Sequence, residues 1–98
     1  MNNKRENVYQ GLRDFQDFVD GAAQTQGELM LSIKIGDYTD TGDIHPVFID
    51  IDEDQLSVEI AGDRDVYLSN INEITYQDGI YSISLENING KFLFERIV

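Results

Sequence analysis

With 98 residues and a formal net charge of −12, from 19 acidic against 7 basic side chains, the chain has room for one modest core and carries a surface that repels anions. Its content of 41% hydrophobic and 10% aromatic residues is enough to fold and excludes a disordered polyelectrolyte. The lack of cysteine excludes a disulfide framework, a thiolate zinc site and a cysteine nucleophile, so packing has to supply the stability.

The charge is unevenly placed. In residues 1–24, Lys4, Arg5 and Arg13 nearly balance Glu6, Asp14, Asp17 and Asp20. Between residues 37 and 65 lie Asp37, Asp40, Asp43, Asp50, Asp52, Glu53, Asp54, Glu59, Asp63 and Asp65, opposed by Arg64 alone. Such a belt repels both nucleic-acid phosphates and anionic lipid, so direct binding to either is not expected. No stretch approaches the roughly 18 apolar residues that span a bilayer. The N-terminal MNNKRENVYQGLRDF has no apolar run behind its basic residues, and the expected compartment is the cytoplasm.

In chain order, Val8, Leu12, Phe15 and Val19 recur at i, i+4, i+7 and i+11, which predicts an amphipathic helix over about residues 5–23. Gly11 weakens it by about 1 kcal/mol relative to alanine. Gly21 and the polar Gln24-Thr25-Gln26-Gly27 supply its end. From Glu28 the period becomes twofold: Leu29, Leu31, Ile33 and Ile35 alternate with polar or flexible residues as in a half-buried strand. GDYTDTGD then reads as a turn. Val47, Ile49 and Ile51 make a second strand, Asp-Glu-Asp-Gln a turn, and Leu56, Val58 and Ile60 a third strand.

Val66 and Leu68 suggest a short strand, Ile74 and Tyr76 another. Asp78-Gly79 and Asn89-Gly90 read as type I′ hairpin turns bracketing Tyr81, Ile83 and Leu85 and leading to Phe92 and Phe94. The expected fold is therefore a single α+β domain over residues 1–98. An N-terminal amphipathic helix packs on a five- to six-stranded antiparallel meander over about residues 28–98. A sheet of this length can curl into a small barrel, and the element order resembles SH3-like and Sm-like barrels in architecture alone. No family motif accompanies it, so no function is carried over.

Each candidate site has a plainer reading beside it. Asp50, Asp52 and Asp54 project to one side of an extended chain and offer hard oxygen ligands to calcium or magnesium. The sharp-turn glycine of an EF-hand loop is replaced here by Gln55 and its twelfth-position glutamate by Ala61, which favours a solvated turn. His45, the single histidine, lacks a nucleophile-elbow context with Ser32, Ser57 or Ser69. It precedes the single proline, Pro46, at the start of an edge strand, so a partly exposed structural histidine is the better reading.

Paired carboxylates for acid–base chemistry need one raised pKa in a cleft that a core this small has little room for. Gly36-Asp37, Gly42-Asp43 and Gly62-Asp63 each bring a carboxylate that opposes phosphate, so they read as turns. Tyr38, Tyr67, Tyr76 and Tyr81 with Phe48 are either an aromatic contact surface or half-buried packing.

No enzyme activity and no cofactor follow. The leading expectation is a non-catalytic protein that binds another protein of basic surface through Asp37, Asp40, Asp43, Asp50, Asp52, Glu53, Asp54, Asp63 and Asp65, or through a sheet face or edge. In one form of it the carboxylates mimic nucleic-acid phosphates. The competing expectation is a small-ligand or divalent-metal domain built on Asp50, Asp52 and Asp54 with Asp37 or Asp40. Short β-rich domains often pair an edge strand, which makes a homodimer a further expectation.

Overall fold

A computed structural model describes residues 4–97. A helix, α1 (Lys4–Gln24), precedes eight strands: β1 (Leu29–Ile35), β2 (Tyr38–Ile44), β3 (Pro46–Asp52), β4 (Ser57–Gly62), β5 (Val66–Leu68), β6 (Ile71–Gln77), β7 (Ile80–Leu85) and β8 (Gly90–Arg96). They form an antiparallel five-stranded sheet, ordered β2-β1-β8-β7-β6, and a three-stranded sheet, β3-β4-β5. The α+β architecture is as expected, and the two sheets do not close into a barrel.

The apolar stripe of α1 does what its spacing requires: Val8, Leu12, Phe15, Val19 and Ala22 are all buried. Phe15 sets the helix on the large sheet, its ring 4.9 Å from Phe94 and 5.4 Å from Tyr81 in edge-on geometry. Gly11 is a contact position as well as a weak helix former, because a Cβ built there would lie 2.9 Å from the Cβ of Ile74 on β6. The helix runs past Gly21. It stops where Gln26 turns left-handed (φ 54°), with Gly27 N–H donating to the Ala22 carbonyl (2.8 Å) and Gln26 N–H to that of Ala23 (3.3 Å). That pair of bonds is a Schellman cap built without glycine at the left-handed position.

Three local expectations are corrected. Most of the stretch read as a turn, residues 36–43, is strand: Tyr38–Ile44 is a full edge strand, and the turn before it is confined to Gly36-Asp37 between the paired Ile35 and Tyr38. Leu56 does not belong to the third strand: it sits left-handed (φ 49°) in the turn before β4, and its carbonyl accepts from Ile71 N–H at 3.1 Å. Asn89-Gly90 is not a two-residue hairpin turn, since Gly90 already opens β8. Glycine is required there because a Cβ would approach the Lys34 carbonyl oxygen to 2.5 Å, a demand made by the neighbouring strand. Asp78-Gly79 does form its turn, with φ of 54° and 83° between the paired Gln77 and Ile80.

The ladder breaks at the crossover from β2 to β3. His45 N–H donates to the Asp63 carboxylate (2.8 Å) and Pro46 has no N–H to donate, so β2 ends the first sheet and β3 starts the second. A bulge between Pro46 and Phe48 accompanies the break. The core is shared by α1 and the inner faces of both sheets, through Leu29, Ile44, Ile60, Ile71, Ile83 and Phe94.

Candidate interaction surfaces

Three places carry chemistry that packing does not use up. The first is the outer face of the three-stranded sheet. Alternation turns Ile49, Val58 and Ile60 inward, which leaves Phe48, Asp50, Glu59 and Tyr67 on the side away from the core. In the register Asp50 pairs with Glu59 and Glu59 with Tyr67, so one row across all three strands reads acid, acid, aromatic. Phe48, two residues before Asp50, flanks the row. Phe48 and Tyr67 are 50% and 60% exposed. Like charges directly opposite on a sheet repel, and no cation stands between them among the described ion pairs.

The second place joins the two sheets. His45 Nε2 lies 2.6 Å from Glu28 Oε1 and its Nδ1 3.2 Å from Asp63 Oδ2, so both ring nitrogens face carboxylates. Only the imidazolium donates through both nitrogens. The bonds to Asp63 and Glu28 push the His45 pKa up, while the backbone and side-chain bonds from His45 hold Asp63 below the usual carboxylate range. The partly exposed structural role expected for His45 is what these contacts describe, and its two partners were not foreseen.

The third is a cleft of about 330 Å³ where the inner faces of the sheets diverge beyond the reach of α1. Leu31, Ile33, Ile44, Val66, Leu68 and Phe92 line it, with Asp40, Arg64 and Asp65 on its rim. Asp40 lies here because β2 pairs it with Ile33, on the inward side of the sheet. Gly42 shapes the seat of Arg64, since a Cβ at that position would collide with the guanidinium Nη1.

The acidic belt therefore does not converge on one spot. Asp50 joins Glu59 on the small sheet's outer face. Asp52, Glu53 and Asp54 make the β3–β4 turn, where Asp52 Oδ1 accepts from the N–H groups of Asp54 (3.0 Å) and Gln55 (3.2 Å). That turn is fastened to the start of α1. The Arg5 guanidinium donates to the carbonyls of Glu53 (3.0 Å) and Asp54 (2.8 Å), and Tyr9 Oη–H to Glu53 Oε1 (2.6 Å), a bond that raises the tyrosine pKa. Asp63 is bound to His45, and Asp40 and Asp65 rim the cleft. Asp43 pairs in register with Met30 on the opposite side of β2 from Asp40, and Asp37 stands in the β1–β2 turn.

Among the described residues, no group of three or more His, Cys, Asp or Glu is arranged to hold a metal ion. Among the described residues, no helix is long and apolar enough to cross a membrane. Of the tyrosines, Tyr81 is core, Tyr76 lies against it with ring centroids 4.6 Å apart and planes tilted by 47°, Tyr38 is exposed beside the β1–β2 turn, and Tyr67 alone shares a face with Phe48. Compared with known proteins, the chain matches no family model, no curated protein sequence and no solved structure.

Proposed function

We propose that this chain is a non-catalytic interaction domain whose outer small-sheet face binds another protein through an arginine-bearing basic surface. The observation that carries the reading is the Asp50–Glu59 pair, exposed, directly cross-strand and flanked by the exposed rings of Phe48 and Tyr67. The free protein gains nothing from this arrangement, since the carboxylates repel and the rings stay wet. A single incoming guanidinium answers all of it: its fork takes carboxylate oxygens while its plane stacks on an aromatic ring. Aromatic residues and arginine are the side chains that interface centres favour. The net charge of −12 steers such a partner from a distance. The nucleic-acid-mimic form of the reading is the case in which the partner's basic surface is one that otherwise holds phosphate.

The test is crosslinked capture from the native cell with the wild-type chain, the D50N/E59Q double variant, and E73Q as an acid replaced elsewhere. The expected result is a partner retained by wild type and E73Q, lost from the double variant, and released by added salt. The same captured proteins on all three baits would refute the assignment of the face.

A further inference from the structure

We propose that the cleft between the sheets binds a free amino acid with an apolar or aromatic side chain. The site opens between the sheets, with Tyr67 of β5 the one residue it shares with the outer face assigned above, and it rests on three observations. First, its wall is apolar and contributed by both sheets: Leu31, Ile44 and Phe92 from the large one, Val66 and Leu68 from the small one. Its volume of about 330 Å³ is at the lower end of the range for small-molecule sites.

Second, the rim carries charges of both signs. Arg64 lies over Gly42, and its guanidinium makes no hydrogen bond or ion pair with the described residues, although Asp40 and Asp65 rim the same cleft. The other rim groups are thus available to a ligand head of matching polarity. An α-carboxylate accepts the fork of Arg64 while the α-ammonium donates to Asp40 or Asp65. Third, the whole-chain charge of −12 discriminates among ligands. A zwitterion enters without net repulsion, whereas a simple carboxylate is opposed by the field of the protein and by both rim aspartates. An amine without a carboxylate is attracted by the same field and by both rim aspartates, but it leaves Arg64 unanswered and adds a like charge beside it, so the Arg64 fork is what separates it from the amino acid. The apolar side chain fills the cleft, and the two-signed head closes its mouth.

The experiment is calorimetric titration of the full chain with L-phenylalanine, with 3-phenylpropionate, which lacks the ammonium, and with 2-phenylethylamine, which lacks the carboxylate. Each is repeated on Arg64→Gln, whose fold is checked by circular dichroism. L-phenylalanine is expected to bind with a Kd of about 1 mM or tighter and to raise the melting temperature. Both one-headed analogues are expected to bind at least about tenfold more weakly. In Arg64→Gln, L-phenylalanine should fall to the level of 2-phenylethylamine, and 2-phenylethylamine itself should not weaken. Failure of L-phenylalanine to bind at about 10 mM, equal binding of all three compounds, or unchanged amino-acid affinity in Arg64→Gln would each overturn the proposal.

Discussion

Replacing Gly11 and Gly21 by alanine, one at a time, separates two things a glycine can do in the same helix. Both substitutions recover intrinsic helix propensity, about 1 kcal/mol in a helix interior and about 0.5–1 kcal/mol nearer the end. At Gly21 nothing opposes the gain, since the nearest atom to the new Cβ is Arg96 Nη1 at 3.7 Å, an ordinary contact. Gly21→Ala is therefore expected to stabilise by about 0.5–1 kcal/mol and to raise Tm by about 2–8 °C for a domain of this size. At Gly11 the new Cβ meets the Ile74 Cβ at 2.9 Å and Cγ2 at 3.3 Å, and these are the stiff, branched root of a side chain on β6. Overpacking of that kind costs about 1–3 kcal/mol. Set against the propensity gain, Gly11→Ala is expected to destabilise by about 1 kcal/mol and to lower Tm by about 4–8 °C. Thermal melts followed by circular dichroism, with urea titrations to confirm the ranking, decide it. If Gly11→Ala raises Tm as much as Gly21→Ala does, the close approach of α1 to β6 is wrong.

Asp50→Asn and Glu59→Gln are each expected to stabilise the free chain by about 0.2–1 kcal/mol, and the double variant by little more than one of them, because either change removes the same repulsion. Additive gains in urea denaturation would show that the two carboxylates do not face each other. Asp52→Ala should cost about 0.5–1.5 kcal/mol through the lost turn bonds while Asp52→Asn keeps most of the stability; equal losses would remove the turn role. The His45 contacts predict a pH dependence of stability. The raised His45 pKa contributes stability fully present below about 6.5 and lost as pH rises through the folded value. The lowered Asp63 pKa contributes stability present above about 3.9 and lost as pH falls through its folded value. His45→Gln should therefore abolish the decline on the alkaline side, and a melting curve with the same pH profile as wild type would contradict the bridging role.

What the chain reveals before folding follows from how local each determinant is. The stripe Val8, Leu12, Phe15 and Val19 repeats within one element, and the Asp78-Gly79 turn is set by its own two backbones, so both can be read directly. Tyr38–Ile44 hides because its inward positions are Tyr38, Asp40, Gly42 and Ile44: the strand faces a cleft rim and a guanidinium, and only Ile44 is buried in the core. Gly90 looks like half of a turn dipeptide, yet its reason lies across the sheet at Lys34. The acids that matter were visible as a dense run, but Glu59 sat outside the predicted set. Its partnership with Asp50 exists only in the register between β3 and β4. Arg64 was read as the lone base in the belt, and its seat on Gly42 depends on which way β2 faces.

The pairing of β1 with β8, in which Leu29 lies opposite Arg96, has a consequence for how the chain is made. The centre of the large sheet joins the earliest strand to the latest. During synthesis the β1–β2 hairpin emerges with one side of β1 unpaired, and that edge stays open until the last strand has been translated. Closing so long a loop carries an entropic cost before any of its hydrogen bonds form, which places the rate-limiting step late and slows it. The open edge is meanwhile a template for pairing with other nascent chains. Lys34 on β1, opposite Lys91 on β8, puts charge on that waiting strand, while the acids of β2 lie one strand away on its paired side. The net charge of −12 gives copies of the chain a mutual repulsion that opposes such pairing.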